Sequence, residues 1–198
     1  MRTGLLIILC LLQLKTICQS SFNMNLLANV DYPNTPESQG AKYNDCWGYR
    51  HTNGTEIAIF GGAQQIFFVD VTDPENPETI LSHQVLNLSN GSVNTSLWRD
   101  FKTYQNYAYA CSDASGGTSG LLIFDLSQLP DTVILVNQTN AFFNRSHTIF
   151  IDEEHGRLYA CGTNTQNNGL VVLDLTTDPT NPALIANVPL NIVGGGYV

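Results

Sequence analysis

The stretch IFFVDVTDPENP, residues 66–77, joins an apolar run to an aspartate, an aliphatic residue, a threonine and a turn with two prolines. The same order returns in GLLIFDLSQLP at residues 120–130 and in GLVVLDLTTDPTNP at residues 169–182. Asp125 follows Asp70 by 55 residues and Asp174 follows Asp125 by 49, so the repeating unit is far longer than one strand and turn. A period near 50 residues signals stacked, multi-stranded modules.

Aligning the three aspartates also aligns what precedes them. YNDCWGYR and EIAIFGG come before the first run, LWRDFKTY and YAYACSD before the second, SHTIFID and RLYACGT before the third. After each turn a further β-branched or aliphatic segment follows: ETILSHQVL, TVILVNQT and ALIANVPL. These are runs of strand length without helical periodicity, and the third segment of each unit is nearly continuous in apolar residues, as in a sheet covered on both faces. Four strands per unit is the content of a propeller blade. The expected fold is all-β, a β-propeller of four-stranded blades with about three blades present and the ring incomplete. The blades fall near residues 42–90, 97–140 and 145–198, after a lead-in at 21–41.

Asp70, Asp125 and Asp174 each stand where a strand runs into a turn, two residues before Thr72, Ser127 and Thr176. Short carboxylates there bond turn amides that would otherwise lack partners, so these aspartates read as scaffold and not as ligand-binding groups. Prolines in DPENP and DPTNP mark the exit from the third strand, because proline cannot donate to a ladder. The second unit has SQLPD instead, and its turn is expected to differ.

The N-terminus, MRTGLLIILCLLQLKTICQSS, has one early Arg, an apolar core and a small-residue exit, which is a secretory signal over residues 1–20. Secretion makes the protein extracellular, and the remaining chain contains no transmembrane helix. The full chain's formal net charge of −9 argues against nucleic acid and anionic lipid as partners. Six Asn-x-Ser/Thr sequons, at Asn53, Asn87, Asn90, Asn94, Asn137 and Asn144, are candidate N-glycosylation sites. Of the five cysteines, Cys10 and Cys18 belong to the leader, and Cys46, Cys111 and Cys161 have no metal-binding spacing. Cys111 and Cys161 occupy the same place in successive units and are expected to be packed, unbridged thiols.

With the repeat laid out, the chain resembles the LVIVD-repeat proteins and, more closely, the choice-of-anchor B family of secreted or surface β-propellers. The carriers are YNDCWGY, FVDVTDPENP, WRDFKTYQNYAYACSDASGG, GLLIFDLSQL, SHTIFIDEEHGRLYACGTNT and GLVVLDLTTDPTNP, in that order across residues 42–198. The resemblance implies a propeller and an extracellular location but no particular reaction. It also singles out first-strand positions that match Asp45, Asp100 and His147 here. Three units cannot close a ring, so the domain is expected to continue past NIVGGGYV.

Asp45, Asp100 and His147 are therefore the candidate ligand-binding residues, lining a central channel. The competing expectation is that such inner-strand groups hydrogen-bond the backbone of the next blade. No catalytic triad or nucleophile elbow is present around Ser112, and SDASGGTSG reads as a loop. His51, His83 and His155 read as solvated, and Trp47 and Trp98 as core filling, with a sugar-stacking platform as the alternative. The sequence names no cofactor. The functional expectation is a glycosylated binding scaffold for an extracellular protein or glycan; the alternative is a propeller hydrolase or metal-dependent enzyme with its site at the channel mouth.

Overall fold

A computed structural model describes residues 23–165 and 169–189; the expected leader and the closing NIVGGGYV lie outside the described residues. Twelve strands form three separate four-stranded antiparallel sheets, each in sequence order. The first holds β1 (Tyr43–Arg50), β2 (Glu56–Gly62), β3 (Gln65–Asp70) and β4 (Glu78–Gln84). The second holds β5 (Arg99–Tyr104), β6 (Tyr107–Ser112), β7 (Leu121–Asp125) and β8 (Ile134–Thr139). The third holds β9 (Thr148–Asp152), β10 (Arg157–Thr163), β11 (Gly169–Asp174) and β12 (Ala183–Val188). No helix occurs among the described residues, and so none there is long and apolar enough to cross a membrane.

The repeat extends to details of register. Each third strand slips against its fourth at the residue just before the aspartate: between Phe68 and Val69, between Ile123 and Phe124, and between Val172 and Leu173. Such a bulge bends one strand and increases local twist. Beyond it, Asp70 accepts the Thr72 amide at 2.8 Å, Asp125 that of Ser127 at 2.7 Å and Asp174 that of Thr176 at 3.2 Å. The aspartates thus close turns, and the hydrogen bonds from Thr176 hold the Asp174 carboxyl below the usual carboxylate range. The second turn differs by a cis Leu129–Pro130 bond.

Burial follows from the packing of sheet on sheet. On the middle sheet, Ala108, Ala110, Leu122 and Phe124 face Ile57, Ile59, Ile66 and Phe68 of the first. From the opposite face, Tyr109, Cys111, Leu121 and Ile123 meet Ile149, Leu158, Ala160, Val171 and Leu173 of the third. This two-sided burial explains why LLIFD is apolar at four consecutive positions, all buried. The outer face of the first sheet is covered by the lead-in, where Tyr32 stacks on Phe67 with ring centroids 4.2 Å apart. On the opposite flank of the third sheet, Phe150 remains 59% exposed.

The sheets fan out from one line. First-strand backbones lie side by side, β1 against β5 and β5 against β9, whereas the backbones of β4, β8 and β12 stand away from other sheets and side chains such as His83 bridge the gap. First-strand side chains are therefore where neighbouring sheets can be tied together.

Candidate functional site

Asp45 lies on β1 and Asp100 on β5, and the fold brings them together. Asp100 Oδ1 accepts the Phe101 amide at 2.9 Å and Lys102 Nζ at 2.6 Å. Its Oδ2 accepts the Ile149 amide of β9 at 2.7 Å and the Thr148 hydroxyl. Asp45 Oδ2 accepts the Phe101 amide of β5 at 3.3 Å. Because β5 and β9 have a ladder partner on one side only, their edge amides need acceptors, and the carboxylate of the preceding sheet supplies one. Asp45 and Asp100 are successive copies of one device, an aspartate latching its sheet to the next.

His147 does not join them. Strand β9 begins at Thr148, which pairs with Cys161 as Asp100 pairs with Cys111, so Thr148 and not His147 is the structural counterpart of Asp100. A slip of one residue sends the side chain to the other face, and two adjacent polar residues give the sequence no means of choosing. His147 instead meets Asp113 at the rim, Nδ1 to Oδ2 at 3.0 Å, and Arg145 Nη1 contacts the other oxygen at 2.5 Å.

Electrostatics separate the two carboxyls. Burial, followed by the hydrogen bond and charge of Asp100, raises Asp45 above the usual carboxylate range. Burial would also raise Asp100, but the hydrogen bonds from Lys102, Thr148 and Ile149 outweigh it and hold Asp100 below that range. Any proton the pair shares resides on Asp45. Asp45→Asn imitates that protonated state, so it is expected to stabilise the fold at pH 7 by up to about 1 kcal/mol, the scale of partly exposed charge pairs. The gain develops as pH rises through the ordinary carboxylate range towards the raised pKa, and vanishes in acid, where Asp45 is protonated folded or unfolded. Urea titrations at pH 7 and pH 3 check this.

Lys102 and Arg99 carry no sequence signal yet complete the line. Lys102 Nζ also donates to the Phe101 carbonyl at 2.8 Å and lies 4.5 Å from the centroid of the Trp47 ring, whose Nε1 donates to Thr103 Oγ1 at 3.0 Å. Arg99, 3% exposed, donates to the Gly62 and Ala63 carbonyls at 3.1 Å and to the Asn94 carbonyl at 2.9 Å. Burial lowers its pKa to about 10, so it remains cationic at neutral pH and pins β5 to the end of the preceding sheet.

Three other readings are corrected, at Asn94, Trp98 and His83. Asn94 is 1% exposed, its amide donates to Asn87 Oδ1 at 2.9 Å and its oxygen accepts the Ser112 hydroxyl at 3.2 Å, so a glycan there would have no route to solvent. Ser112 belongs to that buried network and also bonds Ser119 Oγ at 2.9 Å. Trp98 is 55% exposed rather than core, because adjacent side chains of an extended segment point oppositely and buried Arg99 takes the interior. His83 sits edge-on to Phe124 at 5.3 Å, and burial, then the charge of Arg99, lowers its pKa.

Of the remaining sequons, Asn53 and Asn90 are exposed and Asn87, Asn137 and Asn144 half-buried. Cys46, Cys111 and Cys161 are free thiols; burial pushes Cys111 and Cys161 up, which disfavours the reactive thiolate. Among the described residues no group of three or more His, Cys, Asp or Glu side chains could hold a metal ion.

An ionised carboxylate offers about four lone-pair sites, and four donors reach Asp100. It is therefore satisfied internally and has no open site for abstracting a proton or binding a cation. The chemistry of this line is adhesion between sheets. No protein-family model matches the chain, and no curated protein matches it.

Proposed function

We propose that the chain is a secreted, glycosylated β-propeller of the LVIVD-repeat, choice-of-anchor B kind, acting as a binding scaffold. The observation that carries this reading is the use of the inner-strand carboxylates: Asp45 and Asp100 bond backbone amides of the following sheet. Blade-like sheets fanning from their first strands, with repeated bulges and turns, support the propeller; the leader and exposed sequons support secretion. Expression in a eukaryotic cell line tests it. The account expects protein in the medium beginning near residue 21, with glycan-dependent mass that is abolished stepwise at exposed sequons and unchanged by Asn94→Gln. Retention in the cell with an intact leader and no glycan contradicts it.

The enzyme reading rests on one observation, the Asp113–His147 pair at the rim, which resembles half of an acid–base apparatus. The nearby Ser112 hydroxyl is no nucleophile for it, being 1% exposed and bonded to Ser119 and Asn94. Esterase, glycosidase and lyase assays of the secreted protein are expected to show nothing that His147→Ala removes.

A further inference from the structure

Near one end of the first-strand line, two cavities of about 430 and 420 Å³ share Trp47, Thr103 and Glu153 as lining and so form one groove. We propose that this groove binds a neutral oligosaccharide, an inference that rests on the binding-scaffold reading and names its ligand class.

The two halves differ in chemistry. The first presents Thr52, Gln105 and Asn106 beside Arg50, Glu153 and Tyr49, whose hydroxyl donates to Asn106 Oδ1 at 3.0 Å, so that donors and acceptors stand side by side. The second is apolar, walled by Trp47, the Lys102 stem, Ile151 and Phe150, whose ring is 59% exposed. A pyranose has matching halves: a face of C–H groups that lies on an aromatic ring, and a rim of hydroxyls that amide and carboxylate groups hold in pairs. A peptide anchor would need a dominantly apolar groove, and half of this one is polar. A polyanionic glycan is disfavoured by the chain's net charge of −9, and the groove's Arg50 is already paired with Glu56 at 3.3 Å.

The backbone gives an independent argument. Tyr104 pairs with Tyr107, so Gln105 and Asn106 form a two-residue hairpin loop, and Gln105 has φ +53°. That loop position favours glycine, because a side chain there crowds the backbone. Gln105 occupies that position against local preference, and it lines the polar half of the groove. Strain of this kind is held where a side chain has a task.

Purified secreted protein is titrated with cellotriose, chitotriose and maltotriose, and with a sulfated heparin fragment for contrast, by calorimetry and saturation-transfer NMR. The expected result is binding of at least one neutral trisaccharide with Kd at or below about 1 mM, and at least about tenfold weakening by Phe150→Ala. Gln105→Gly is expected to leave Tm unchanged or raised while weakening binding severalfold. A structural role alone would not produce that split. Absence of neutral-sugar binding, preference for the sulfated fragment, or undiminished affinity in both variants overturns the proposal and leaves the scaffold reading intact. Cleavage of a bound trisaccharide would instead overturn the scaffold reading, so the two failures are distinguishable.

Discussion

Phe124→Ala lowers unfolding stability by about 3–5 kcal/mol, the range for deleting a large aromatic side chain from a packed core. Phe124 is fully buried, 4.9 Å from the Phe68 ring and 5.3 Å from His83 across the boundary between the first and second sheets. Ile123, its neighbour on β7, cannot refill the space, because it points to the other core. A domain is stable by about 5–15 kcal/mol, so this one truncation removes a large part of the total. Phe150→Ala, at a 59% exposed position, is the control and is expected to cost little. Urea unfolding followed by tryptophan fluorescence measures both.

Asp100→Ala has the second large effect, about 1–3 kcal/mol, because it strips the acceptor from the buried Ile149 amide and from the partly buried Lys102 ammonium. Lys102 Nζ loses its closest acceptor and the Ile149 amide its 2.7 Å partner, so the damage falls on the seam between the second and third sheets. Asp100→Asn costs less, since the amide oxygen still accepts from Ile149. The folded Asp100 pKa is depressed, so its stabilisation is complete above the ordinary carboxylate range and is lost as pH falls through the lowered value. In the Asn variant that acid-side loss is reduced, while the Asp45 contribution has the opposite sign. Stability curves from pH 7 down to pH 2 separate the two groups.

The modules were legible because the signals that define them are local. Asp70, Asp125 and Asp174 bond amides two residues away, and four consecutive buried apolar residues in β7 announce a sheet covered on both faces. What ties the sheets together is not local. Asp100 reaches Ile149, 49 residues on, and Arg99 reaches Gly62, 37 residues back, and no periodicity in either strand encodes a partner in another sheet. Lys102 and Thr148 were missed for that reason. The resemblance points to His147, but one residue of register decides which side chain faces the seam, and the pairing of Thr148 with Cys161 puts Thr148 there. Asn94 shows the same limit in reverse: the sequon is three residues long, but its burial depends on Ser112 and Asn87.

The central claim is that separate four-stranded sheets pack face to face and draw closest along their first strands, where an aspartate of one sheet holds an edge amide of the next. Amide hydrogen exchange at Phe101 and Ile149, read with cross-strand proton contacts, tests it most directly. The account predicts that both amides are protected, that Asp100→Ala exposes Ile149 selectively, and that ladder contacts occur within each sheet but not between β4 and β5 or β8 and β9. An unprotected Ile149 in the wild-type chain, or ladder contacts joining β4 to β5 into one continuous sheet, would contradict it.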